Sequence, residues 1–204
     1  MSTSLIVVDD FLATQDALRL REAGLRLTYP PQQGAFPGRN SQERLHLPQL
    51  DQAVSRLAGE PLRAIDPPES HCKFRITLAD DVGTGRVHID QGAWWSGILY
   101  LSRPEDCRGG TEFYRHVETG TEQAPMTQEG IEAMGYRTGA ELHDAIIGRD
   151  SNDMSRWEMT MRVPMRFNRL VLLRPWFWHT AGEAFGDSLE NGRFVYLMFF
   201  TPVR

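Results

Sequence analysis

Cysteine is scarce in this chain: Cys72 and Cys107 are the only two among 204 residues. Two thiols cannot build the multi-bridge scaffold of a small secreted domain, and these lack any zinc-type pairing. Both are read as reduced. Basic charge is not in excess either. The formal net charge of −5 argues against a general phosphate-backbone binder, which needs a cationic face, although a local basic pocket is still allowed. No run approaches the ~18 consecutive apolar residues of a membrane-spanning helix. The opening "MSTSLIVVDDFLATQD" has a short apolar stretch without a basic flank, followed at once by acids, so it reads as a strand and not as a secretory signal. The expected location is cytoplasmic, with no nucleic-acid and no membrane partner. Repeats, low-complexity tracts and linkers are missing too, which leaves one domain, 1–204.

What is present falls into two textures. The N-terminal third offers a strand, "SLIVVDDFL", and an amphipathic helix, "ATQDALRLREAGL", with Thr14 as its cap and Leu18, Leu20 and Leu25 near one side. A Pro- and Gly-rich loop spans 30–50, and a second helix begins near Asp51. From residue 71 the chain turns to short runs rich in β-branched and aromatic residues: "CKFRITLA", "WWSGILYLS", "GTEFYRH", "WEMTMRVPMRF", "RLVLLRP" and "RFVYLMFFTP". These predict a mainly β fold, a sandwich or jelly roll preceded by helices. The last run is apolar on both faces, with Val195, Leu197 and Phe199 on one and Phe194, Tyr196, Met198 and Phe200 on the other. A strand buried on both sides predicts that the helices cover the outer face of its sheet. Residues 117–156 interrupt the series as a helical insertion between core strands, a placement that suits a lid or a substrate-binding wall. Between 115 and 156 eight acids face four arginines, which leans against an anionic polymer as substrate.

Six histidines are candidates for chemistry: His46, His71, His88, His116, His143 and His179. In "RVHID", His88 and Asp90 stand two apart, so on a strand both face one side. His179 follows another apolar strand in "RLVLLRPWFWHTAG". Arg193 heads the apolar last strand, with no acid on its own face. A buried guanidinium there needs an anionic partner, and a bound dicarboxylate would supply one. Two imidazoles and a carboxylate on one face of a metal leave the opposite positions open, the arrangement that suits non-haem Fe(II) working with O2. A closed structural zinc site would be cysteine-rich.

The stretches "GTGRVHID", "ILYLSRPEDCRGGTEFY", "WHTAGEA" and "GRFVYLMFF" together resemble the Fe(II)/2-oxoglutarate-dependent oxygenases of the prolyl-hydroxylase-like type, over roughly 72–114 and 165–202. The resemblance implies a double-stranded β-helix (jelly roll). It also implies Fe(II) held by His88, Asp90 and His179, with 2-oxoglutarate and O2 as cosubstrates. Arg193 would hold the distal carboxylate of 2-oxoglutarate through a bidentate fork, and Tyr100 would support that carboxylate with its hydroxyl. Gly109 and Gly110 would admit a tight strand entry. Fourteen positions separate His179 from Arg193, longer than is usual in that family, so Arg174 stands as the rival arginine against a reading as a strand-end surface residue. An aspartate at position 90, where halogenating members have a small residue, implies hydroxylation. Trp94, Trp95, Trp176, Phe177 and Trp178 flank the ligands in sequence, either as aromatic walls or as plain core. His116, His143, Arg115, Arg137, Arg149 and Arg156 are possible substrate contacts from the insertion, against a reading as solvated surface.

Three functional readings follow. The first is an oxygenase acting on a small molecule, amino acid or peptide. The second is a β-barrel binding module with a vestigial site. The third is a cupin-like or zinc hydrolase, which "HID" fits poorly because cupins space their first two histidines one residue apart. The sequence leaves the substrate and the oligomeric state open.

Overall fold

Along residues 3–203, which a computed structural model describes, the chain begins with strand β1 (Leu5–Val8) and helix α1 (Thr14–Leu25). The two-residue strand β2 (Arg39–Asn40), helix α2 (Leu50–Ala58) and strand β3 (Leu62–Ala64) follow. The apolar runs then form β4 (Phe74–Thr77), β5 (Trp95–Tyr100) and β6 (Gly110–His116). The insertion supplies α3 (Gln128–Ala133) and α4 (Gly139–His143), the latter running into a wide turn over Asp144–Gly148. The chain closes with β7 (Trp157–Pro164), β8 (Leu170–Leu173), β9 (His179–Thr180) and β10 (Arg193–Pro202).

Two antiparallel sheets face each other. The larger has the order β1-β8-β5-β10-β4-β2, with β3 also paired to the end of β10, and the smaller has the order β7-β6-β9. Register assigns the faces, because residues opposite one another in antiparallel strands share a side. Val195 lies across from Tyr100, and Phe199 across from Ser96. On the other flank of β10, Arg193 lies across from Thr77 and Val195 from Arg75. Tyr100, Val195, Val171 and Leu173 meet Phe113 and Val163 of the smaller sheet in one buried cluster, so this side is the interior of the roll. On the opposite side of β10, Phe194, Tyr196, Met198 and Phe200 join Leu20, Leu50 and Val54 of the N-terminal helices. The double-faced strand is therefore covered on its outer side as its composition predicts.

The buried side of α1 differs from the expected one. Ala17, Leu20, Arg21 and Gly24 are covered, whereas Leu18 is 39% exposed. The rings of Phe74 and Phe194 stack at 5.4 Å beneath the helix, and a Cβ added to Gly24 would come within 2.6 Å of Phe74. Small residues let the helix settle onto those rings, and this sets its rotation. Nor does Thr14 cap it: Ala13 occupies that position without a side-chain bond.

The insertion has a core of its own. Leu142, Ile146 and Ile147 pack with Trp157, Trp178, Tyr114 and Val87. Two residues past its wide turn stands the buried Asp150, whose carboxylate meets His116 Nε2 at 3.0 Å and Arg149 at 2.7 Å. Trp157 Nε1 donates to the Asp150 carbonyl. No helix among the described residues is long and apolar enough to cross a membrane.

Candidate metal centre

His88 and Asp90 lie on an irregular stretch that joins the smaller sheet through a single bridge. His88 N donates to His179 O at 3.0 Å, and His179 N returns a bond to His88 O at 3.1 Å. The bridge sets the two imidazoles side by side, with ring centroids 4.4 Å apart. Asp90 is fixed by its own backbone N–H, which donates to Pro175 O, and by Ser96 Oγ, which donates to Oδ2 at 2.6 Å. One ligating atom from each of His88, Asp90 and His179 then lies within 4.8 Å of the other two.

The ring orientations follow from the outer hydrogen bonds. His88 Nδ1 faces the Arg86 carbonyl at 3.0 Å, and His179 Nδ1 faces the Phe177 carbonyl at 2.8 Å. A carbonyl can only accept, so each Nδ1 carries a proton and each Nε2 is the nitrogen turned toward Asp90. Backbone carbonyls behind the distal nitrogens are how proteins orient metal-binding imidazoles. The side chains of His88 and Asp90 are 19% and 23% exposed, while that of His179 is 4% exposed, so the centre is open on the His88 side. Burial and the neighbouring His179 push the His88 imidazole down to about 4. Burial acts to raise Asp90, but the facing His179 and the Ser96 bond outweigh it and hold the carboxyl below its usual range. Burial acts to lower His179, but the facing Asp90 outweighs it and holds that imidazole above its usual range, so a divalent metal, which requires neutral imidazoles, binds by displacing the His179 proton.

Deeper in the same interior, Arg193 is 2% exposed and forms no ion pair among the described residues. Its Nε is buried without a hydrogen-bond partner, and so is Thr77 Oγ1 directly across on β4. Burial depresses the guanidinium, but arginine keeps its proton in proteins, so the charge persists. Its Cζ lies 6.0 Å from the Tyr100 ring. The Tyr100 hydroxyl accepts from Thr111 N at 2.9 Å and shares a proton with Thr111 Oγ1 at 2.6 Å. Gly110 begins β6 at φ +149°, where an added Cβ would come 2.0 Å from the Val163 carbonyl, so only glycine fits this strand entry.

The rival arginine is committed elsewhere. Arg174 pairs with Glu60 at 2.7 Å, donates to the Thr3 and Trp94 carbonyls, and lies 4.0 Å from the Trp95 ring centroid. It is only 6% exposed, so it is a saturated buried cation and not the surface residue expected. Trp94, Trp95 and Trp176 surround this guanidinium, and Trp178 belongs to the insertion core. Strand parity explains the division: Trp176 and Trp178 point away from the side that His179 faces, whereas Phe177 shares it and meets Phe113 at 6.2 Å. A cavity of about 380 Å³ borders Phe113, Phe177, Met161 and Leu5, with Arg115 and Glu122 at its rim.

The other insertion candidates stand apart from the centre. His116 is fully buried against Asp150, and His143 sits beside Asp144. Arg115, Arg137, Arg149 and Arg156 are each paired with acids. Sequence reading missed Ser96, Thr77, Thr111 and Phe36, whose ring lies 4.3 Å from that of His88. Ser96 could have been found from strand parity with Tyr100, four residues on. Phe36 lies in the irregular loop, where no periodic signal exists.

The profile of a family described as "Family of unknown function (DUF6445)" matches residues 1–200. No curated protein matches the chain. Among solved structures, HygX from Streptomyces hygroscopicus with nickel, 2-oxoglutarate and hygromycin B bound aligns at 17% identity and TM-score 0.50, over 99% of this chain and 84% of that one. A prolyl hydroxylase from Trichoplax adhaerens, in complex with a hypoxia inducible factor peptide fragment, aligns at 12% identity and TM-score 0.51, over 98% and 84%. An oxidoreductase of the 2OG-Fe(II) oxygenase family from Burkholderia pseudomallei aligns at 12% identity and TM-score 0.51, over 97% and 84%. At such identities the likeness concerns the fold, which is the jelly roll of the Fe(II)/2-oxoglutarate oxygenases.

Proposed function

We propose that this chain, which belongs to the DUF6445 family of unknown function, is a non-haem Fe(II)/2-oxoglutarate-dependent oxygenase that works as one domain. It hydroxylates an unactivated C–H bond of a small metabolite or of an amino-acid- or peptide-derived substrate. The observation that carries this reading is the His88–Asp90–His179 cluster, with both imidazoles turned by carbonyls so that their Nε2 atoms face the carboxylate.

The residues fit the groups this function needs. Two nitrogens and one oxygen on one side of an ion leave the remaining positions open. Arg193 Nε and Thr77 Oγ1, buried and unpartnered on adjacent strands, are suited to the distal carboxylate of 2-oxoglutarate, and Tyr100 packs beside that guanidinium. Held there, iron and 2-oxoglutarate would supply the oxidising power, with one oxygen atom of O2 going to succinate as CO2 is released and the other to the substrate. The protein's own part is positional. Ser96 holds one Asp90 oxygen, the Arg86 and Phe177 carbonyls fix the imidazoles, and the aliphatic interior around Val195 and Leu173 excludes water. A cavity of about 380 Å³ beside Phe113 and Phe177 is of the size that takes a small ligand or one peptide side chain. Proteins of this fold crystallised with hygromycin B and with a peptide fragment support that range of substrates.

The test is an anaerobic titration of the metal-free protein with Fe(II) and then 2-oxoglutarate, following the weak visible charge-transfer band of the chelate. The band is expected in the wild type and lost in His179→Ala. A folded wild type with no band would leave the binding-module or zinc-hydrolase reading in its place.

A further inference from the structure

We propose that Ser151, at the end of the insertion, is a positioning residue for His88, and that the insertion acts as a clamp on the metal centre. The inference rests on the metal reading above and goes beyond it, since Ser151 touches neither metal nor substrate.

Residues 82–87 form no regular strand, and their glycines make the stretch intrinsically loose. On one side His88 is held by its bridge to His179. On the other side the backbone would present unpaired groups, as a sheet edge does. Ser151 occupies that edge. Its hydroxyl accepts from Arg86 N at 2.8 Å and donates to Val87 O at 2.8 Å, while its carbonyl accepts from Val87 N at 3.0 Å. Three successive peptide units, 85–86, 86–87 and 87–88, are thus tied to one residue.

The middle unit connects the clamp to the metal site. A peptide is planar, so fixing one end fixes the other. Its N–H, from Val87, is held by the Ser151 carbonyl, and its C=O, from Arg86, is the group that faces His88 Nδ1. Ser151 therefore sets the carbonyl that sets the imidazole. The side chains agree with this, because Val87 points away from the centre into the insertion core while His88 points inward. Ser151 is itself anchored: its N–H donates to Ile147 O, and the preceding Asp150 is locked to His116 and Arg149. The insertion, which the sequence presents as a lid or wall, completes the edge of the smaller sheet.

Two measurements test this, both with Co(II) as the probe because it can be followed by its visible absorption. The first compares Co(II) affinity and the melting temperature of the metal-free protein for the wild type and Ser151→Ala, which keeps the backbone bond to Val87 N and removes the two hydroxyl bonds that hold the 85–86 and 87–88 units on either side of it. Affinity is expected to fall by about 10-fold, the low end of the range for partners that orient a metal ligand because Ser151 acts through the Arg86 carbonyl, at temperatures where both proteins are folded. A merely structural serine would lower the melting temperature and leave affinity of the folded protein unchanged, and that result would overturn the clamp. The second needs no variant and covers the case in which Ser151→Ala does not fold. Coupling is reciprocal, so Co(II) is expected to slow amide exchange in 147–152 as well as in 86–90 of the wild type. Protection confined to 86–90 and 177–180 would overturn the proposal. A wild type that binds no Co(II) would instead remove the metal reading, and the inference with it.

Discussion

Arg193 and Arg174 show how the same residue type takes opposite roles inside one jelly roll. Arg174 is neutralised by Glu60 and capped by carbonyls and indole rings. Arg193 forms no ion pair among the described residues and has an orphaned Nε. Removing a cation that lacks a partner relieves a desolvation penalty, whereas removing one member of a pair creates one. Arg193→Met is therefore expected to leave the cosubstrate-free protein at least as thermally stable as the wild type. The same substitution is expected to weaken 2-oxoglutarate binding by about 100-fold, the scale for losing one partner of a buried charge-assisted bond. Melting curves with and without 2-oxoglutarate read both effects. A large loss of stability without cosubstrate would make Arg193 a structural residue.

Among the elements, β10 carries the most. Its inner side contributes Arg193 and Val195 to the interior, and its outer side anchors both N-terminal helices. Phe194 is fully buried on that outer side, stacked on Phe74 and edge-on to Tyr29 at 6.3 Å. Phe194→Ala is expected to destabilise the fold by about 3–5 kcal/mol, the usual effect of truncating a buried phenylalanine. Metal affinity of the folded protein should not change, because the ring lies across the sheet from the centre. Urea unfolding and Co(II) titration of the same variant separate the two. The strands themselves were legible, since β-branched and aromatic runs bounded by Gly and Pro mark them. The rotation of α1 was not, because the close approach of Gly24 to Phe74 depends on where the sheet lies.

Over the whole molecule, acid stability is set by carboxylates held ionised by fixed partners. Asp150 ties the insertion to β6: Arg149 first, then His116, pull its carboxyl down to about 2 against the opposing effect of burial. A depressed folded value stabilises the native state above the unfolded value of 3.8, and that stabilisation is lost as pH falls from there toward about 2. Asp9, beside Arg169 and Arg166, shifts in the same direction. Urea midpoints are expected to drop steeply below about pH 4, where the Asp150 contribution is lost. An unchanged midpoint at pH 3 would mean that these pairs contribute nothing to folding.

The sequence by itself determined the composition of the strands, the same-side pairing of His88 with Asp90, and the apolar setting that makes a lone arginine at 193 conspicuous. Each is a local property: two-residue spacing, which keeps one side even though His88 and Asp90 lie on an irregular stretch and not a strand, propensity, or a charge with no near neighbour of opposite sign in sequence. What the tertiary structure decided was which distant groups meet. His179 reaches His88 through one bridge, Arg174 finds Glu60 from 114 positions away, and Ser151 closes an edge 64 positions from Val87. No periodicity encodes such contacts, because they arise when separate elements bury their apolar faces and leave particular backbone groups to be satisfied by whatever packs alongside.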